Sequence, residues 1–131
     1  MTTGTTETIE ESFLPFAIAN VPLEPDALGP IHEGLLGAPA TGTAATAFAD
    51  FPLDVVPIGG KTGTAQVTGR GDFSLFVGYG PAPDADIVVA VVLEEAGFGG
   101  HAAAPAANRF LVEALRVGEE TRPPEPSVLQ S

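Results

Sequence analysis

The sequence predicts an α/β fold of the α+β type, an antiparallel meander of three strands with a C-terminal helix packed on it. Three observations carry this. Three β-like stretches follow one another: a glycine-rich one through Lys61, led in by Val55, Val56 and Ile58 and followed by Ala65 and Val67, then Phe73 to Tyr79, then Ile87 to Leu93. The turns between them, Thr68 to Asp72 and Pro81 to Asp86, are short, whereas a parallel pair needs a crossover of about a dozen residues or more. Last, Ala102 to Arg116 has Pro105 near its first turn, apolar Ala106, Phe110, Leu111, Ala114 and Leu115 on one side, and Gly118 just past its end.

Taken in order, residues 1–24 read as a flexible or irregular lead-in. Met1 to Ser12 is threonine-rich and acidic without apolar periodicity. Phe13 to Val21 is apolar but carries Pro15, so a strand there is an edge strand or begins after the proline. Pro25-Asp26 starts one short or broken helix, because Leu28, Ile31, Leu35 and Leu36 keep near-helical spacing across Pro30 and Gly34. Asp50 to Pro57 is a loop that hands over to the lysine strand. The run Ile87 to Leu93 is apolar at every position, so both of its faces require cover, and the C-terminal helix supplies only one. The fold is therefore expected to be incomplete, with residues 25–117 as the folded part and residues 118–131, with Pro123, Pro124 and Pro126, as a disordered tail.

Composition narrows the function. The chain has 131 residues, one domain or a piece of one, and 44% are hydrophobic, yet 16 Gly and 13 Pro commit much of it to turns. Five basic residues against 17 acidic ones, a net charge of −12, speak against nucleic acid or an anionic membrane surface as partner. There is no cysteine, which excludes disulfides and thiolate zinc sites. The longest apolar run is far too short to span a bilayer, and no basic-then-apolar N-terminus marks a signal, so neither anchor nor export signal is expected within the chain.

Gly59-Gly60-Lys61-Thr62-Gly63-Thr64 is the site signature, since it sets the chain's only lysine beside two hydroxyls and three glycines. On a strand Thr62 and Thr64 share a face, and two hydroxyls with one ammonium on an exposed edge suit a carboxylate ligand. The glycines let another molecule's backbone lie close. A phosphate-binding loop does not fit: Gly60-Lys61-Thr62 supplies the end of that motif, but Val55 stands where its first glycine belongs, so no nucleotide is expected. Other polar residues have plainer readings. His32 is a surface histidine, His101 lies at a helix start, and the two are too far apart to suggest a metal site. Glu94 and Glu95 point to opposite faces of a strand end, and Arg70-Gly71-Asp72 is a solvated hairpin turn. Neither metal nor cofactor is expected.

Lys61-Thr62-Gly63 with Thr64-Ala65-Gln66, then Phe73-Ser74-Leu75-Phe76-Val77-Gly78-Tyr79-Gly80-Pro81, then Ile87 to Glu95, then Gly99-Gly100-His101-Ala102-Ala103-Ala104-Pro105 resembles the C-terminal part of the transpeptidase domain of class B penicillin-binding proteins. The resemblance covers about Ile31 to Leu115. It implies a portion of a β-lactamase/transpeptidase-like domain that cross-links peptidoglycan through a serine acyl-enzyme, on the extracytoplasmic face of the bacterial membrane. It implies that Lys61 holds the hydrogen-bond network and that Thr62 and Thr64 bind the carboxylate of a peptidoglycan stem peptide or a β-lactam. The Thr64 N–H would serve the oxyanion hole, and Gly63 would keep the strand edge clear. It also aligns Gly42-Thr43-Ala44 with the family segment that follows a helix and leads to a further short helix through Phe48.

The family's S-x-x-K and S-x-N are missing. The lysine is already used, Ser12 and Ser74 are followed three residues on by Pro15 and Val77, Ser127 by Gln130, and Ser131 ends the chain. The expectation is a piece that needs the N-terminal part of a transpeptidase domain as partner, whether it is a truncated product, a domain piece or half of a split protein. The alternatives are a non-catalytic module that binds D-alanyl peptides, and a non-functional remnant.

Overall fold

Three adjoining strands, each able to bury one face, and an alanine-rich helix that can lie close to them set the architecture. The structure is a computed structural model that describes residues 14–118. Among these residues the elements are α1 (Pro25–Ala40), β1 (Gly59–Ala65), β2 (Phe73–Gly80), β3 (Ile87–Leu93) and α2 (Ala103–Ala114). The sheet order is β1-β2-β3, antiparallel throughout, which is the meander that the short turns predict.

The register assigns the faces. Lys61 lies opposite Val77, Thr62 opposite Phe76 and Thr64 opposite Ser74; Phe76 in turn faces Val91 and Gly78 faces Val89. Alternation then puts Thr62, Thr64, Ser74, Phe76, Val89 and Val91 on one face and Lys61, Leu75, Val77, Val88, Ala90 and Val92 on the other. The first face is the core. Phe76, Ala103, Ala104, Ala107 and Leu111 are fully buried there, and the Phe48 ring sits 5.6 Å from that of Phe76. The second face is open: Val88 is 71% exposed, Val92 57% and Val77 49%. The both-sides-apolar character of β3 is thus met by cover on one side only within residues 14–118.

Several elements differ from the sequence reading. α1 is one continuous 16-residue helix with Pro30 and Pro39 inside it, where a short or broken one was expected. Pro25 occupies the first turn, where its missing N–H costs nothing. The two inner prolines each remove one backbone donor, and the helix end is closed by Thr41 and Gly42, whose N–H groups both donate to the Gly37 carbonyl. Residues 41–50 form a chain of tight turns rather than a second helix. Their bonds run from Ala45 N–H to Gly42 C=O and from Ala47 N–H to Ala44 C=O, and burial of Ala44 and Phe48 fixes them. Val55 and Val56 lie in turns, so β1 starts at Gly59.

The buried stripe of α2 is also rotated from the predicted one. Ala103, Ala104, Ala107 and Leu111 face the sheet, while Phe110 is 51% exposed and Ala114 is exposed. Alanines let the helix approach the strands closely, and a phenylalanine in that seam would hold it off. Residues 14–24 run as exposed chain without a strand, with Leu14, Phe16, Ile18 and Val21 all in solvent. Residues 1–13 of the lead-in and residues 119–131 of the tail lie outside the described residues.

Candidate active-site strand

β1 is an edge strand, so one row of its N–H and C=O groups has no partner within the sheet. Its glycines are explained from inside the protein. A side chain at Gly60 would run into the Phe76 ring, and one at Gly59 into the Tyr79 ring. The expectation that these glycines admit another molecule's backbone is corrected at those two positions, since they make room for the chain's own aromatics on opposite faces. Gly63 is different. The backbone of Gly99 is laid against it so closely that a Cβ on Gly99 would overlap the Gly63 and Leu75 carbonyl oxygens.

That contact forms the site. The segment between β3 and α2 folds back over β1, and Ser74, fully buried, ties it down: its hydroxyl donates to the Phe98 carbonyl at 3.1 Å and accepts from the Ala103 N–H at 3.0 Å. Gly100 presses on the Thr43 carbonyl from the other side, leaving no room for a side chain. The result is a cleft of about 270 Å³ lined by Thr43, Thr62, Thr64, Phe98, Gly99, Gly100 and His101. Thr62 and Thr64 share a face, as strand alternation predicts, and both line this cleft. Lys61 does not stand beside them: it leaves β1 from the opposite face, and its ammonium donates to the Thr62 carbonyl at 2.6 Å.

Thr43, 19 residues upstream, was not foreseen as a site residue. Its hydroxyl lies 2.7 Å from that of Thr62. His101 also joins the cleft, its ring edge-on to Phe98 with centroids 6.1 Å apart. The Gly99-Gly100 pair signals a turn in the sequence, but nothing local says which strand that turn covers. A larger hollow of about 320 Å³, lined by His32, Leu36, Pro57, Tyr79, Ala82 and Pro83, carries no comparable set of hydroxyls. Among the described residues no cluster of three or more His, Asp or Glu could hold a metal.

A family profile described as the penicillin binding protein transpeptidase domain matches residues 5–112. The chain belongs to the penicillin-binding protein transpeptidase family. Two solved structures agree with this membership. The D,D-transpeptidase domain of a peptidoglycan glycosyltransferase from Eggerthella lenta is 34% identical with a TM-score of 0.57, over 72% of this chain. Pseudomonas aeruginosa PBP2 in complex with WCK 5153 is 32% identical with a TM-score of 0.62, over 77% of this chain. No curated protein matches the chain.

This transpeptidase-family chain spans about a fifth of either solved chain, 21% in both. It is a fragment of the transpeptidase domain, of α+β class, from a family tied to the cell wall. No helix among the described residues is long and apolar enough to cross a membrane.

Proposed function

We propose that this transpeptidase fragment supplies one wall of a serine D,D-transpeptidase site, the wall that recognises the substrate carboxylate. The observation that carries the reading is the pair of Thr62 and Thr64 on one face of an edge strand, lining a cleft of about 270 Å³. A hydroxyl can donate to a carboxylate, and two of them two residues apart match its two oxygens. The ligand is the C-terminal D-alanyl carboxylate of a peptidoglycan stem peptide, or the equivalent group of a β-lactam. Lys61, on the opposite face, adds positive potential and holds the hydrogen-bond network of the site. The Thr64 N–H, on the strand edge, is one of two oxyanion donors, and Gly63 keeps the edge clear.

The nucleophile comes from elsewhere. No S-x-x-K and no S-x-N stand in the 131 residues, so the acyl-enzyme forms on a serine of an N-terminal part of a transpeptidase domain, outside the cytoplasmic membrane. That part seats on the bare sheet face of Val77, Val88 and Val92, where burial of apolar surface favours docking. The test mixes the full chain with the N-terminal part of a related transpeptidase domain and a fluorescent penicillin. The chain alone is expected to take no label, and the mixture to label the added part's serine faster than that part alone. Equal labelling with and without the chain would overturn the proposal, as would label on any serine of the chain itself. A second reading is favoured by hydroxyls lining the cleft in a sequence without S-x-x-K: a non-catalytic module that binds D-alanyl peptides reversibly. It predicts reversible binding of D-alanyl peptides, weakened by salt and by Lys61→Ala, with no gain in penicillin labelling when the added part is present.

A further inference from the structure

We propose that Thr43 is a positioning residue of the carboxylate subsite, acting through Thr62. The inference rests on the reading of the Thr62 and Thr64 cleft as a carboxylate site, and it adds a residue from outside β1.

The hydroxyls of Thr43 and Thr62 are 2.7 Å apart, the length of a good O–H···O bond. Each hydroxyl has one proton and two lone pairs, and a bond between the two uses one proton. The pair therefore retains a single donor for an anion. When Thr43 donates, the free proton is on Thr62, and the bond, although exposed, orients that proton toward the carboxylate. Without Thr43, the Thr62 hydroxyl rotates freely and water competes for it.

Thr43 can hold a direction because it is itself held. Ala44, next to it, is fully buried and donates its N–H to the Ala38 carbonyl at 3.0 Å. Phe48, one turn on, sits in the core against Phe76, and Gly100 packs on the Thr43 carbonyl with no space for a side chain. Three separate parts of the fold thus hold the Thr43 backbone, and its hydroxyl pairs with Thr62 of β1 rather than with its own segment.

The test measures binding of N-acetyl-D-alanyl-D-alanine to the full chain by NMR titration, with the C-terminal amide of the same peptide as the neutral control. Thr43→Val keeps the shape and removes the hydroxyl, and it is expected to weaken binding roughly three- to tenfold, the range for one net hydrogen bond. Thr43→Ser is expected to restore affinity to within about twofold. Thr62→Val should cost a similar factor, and the double variant little more than either alone, because both remove one relay. A thermal melt of each variant accompanies the titrations. A Thr43→Val chain that melts at the wild-type temperature and binds the peptide as tightly as wild type overturns the positioning role while leaving the carboxylate reading intact. Additive losses in the double variant, or loss in Thr43→Ser equal to that in Thr43→Val, overturn it as well. Wild-type chain that binds the acid no better than the amide overturns the carboxylate reading itself, and the role of Thr43 with it.

Discussion

Lys61 stands directly opposite Val77 in the β1–β2 pairing, and both lie on the sheet face that α2 leaves bare. An ammonium at the rim of a valine patch makes a surface that is apolar at its centre and cationic at its β1 edge. The two threonines next to Lys61 project to the other side, into the cleft. One strand therefore serves two surfaces, and substitutions on its two faces should separate association from ligand recognition.

The bare face gives the first prediction. Val88→Glu with Val92→Glu places charge where 71% and 57% of the residue surface already meets solvent, so folding stability should change by less than about 0.5 kcal/mol. Gain in penicillin labelling of an added N-terminal part should be lost. Labelling that survives in this variant would mean that the patch is not where the two parts meet.

The second prediction concerns Ser74. Ser74→Ala leaves the Ala103 N–H, at the first residue of α2, without its buried acceptor, while the Phe98 carbonyl keeps the His101 and Ala102 N–H groups as donors. A buried donor left unmade costs about 1–3 kcal/mol, so the urea midpoint should fall with the slope of the transition unchanged. A loss below about 0.5 kcal/mol would show that packing and the loop's backbone bonds, such as Gly97 N–H to the Asp72 carbonyl, hold it over β1 without Ser74.

Much of the sheet was legible in the sequence because strand composition and turn residues are local signals. The run Ile87 to Leu93 forms β3 with the same bounds, and the short turns give the meander. α1 was underestimated, since Pro30 and Pro39 argue against helix locally while the capped end at Gly37 and the packing of α1 on β1 outweigh them. The cleft was half legible. Thr62 and Thr64 follow from strand alternation, but Thr43, Gly99 and Gly100 reach them only through long-range contacts that no spacing rule encodes.

Two glycines give the third prediction, of opposite sign. Gly34 lies inside α1 with open space around it, so Gly34→Ala should stabilise the chain by roughly 0.5–1 kcal/mol. In Gly99→Ala the new methyl would overlap backbone oxygens of β1 and β2, which cannot yield as a side-chain tip can, so the loop must lift off Gly63. Stability should fall, and the cleft residues Thr62, Thr64 and Gly100 should show the largest amide shift changes. If both variants gained stability, the close approach of the loop to β1 would be wrong.

The last prediction separates the two things asked of Thr64, its hydroxyl and its N–H. Thr64→Ala removes the hydroxyl and keeps the N–H; in the reconstituted mixture it should reduce penicillin acylation by a small factor, roughly three- to tenfold. Thr64→Pro removes the N–H as well. Proline is tolerated on an edge strand, and it biases the preceding Gly63 toward the extended conformation that β1 already has, so the strand is expected to survive. Loss of an oxyanion donor typically costs about 10²–10³ in rate, because charge develops on the carbonyl oxygen in a site where water cannot replace the missing dipole. Acylation should therefore fall much further in Thr64→Pro than in Thr64→Ala, while docking of the two parts, read by fluorescence anisotropy, stays the same. Equal rates for the two variants at equal docking would confine Thr64 to carboxylate binding and take the oxyanion role away from β1.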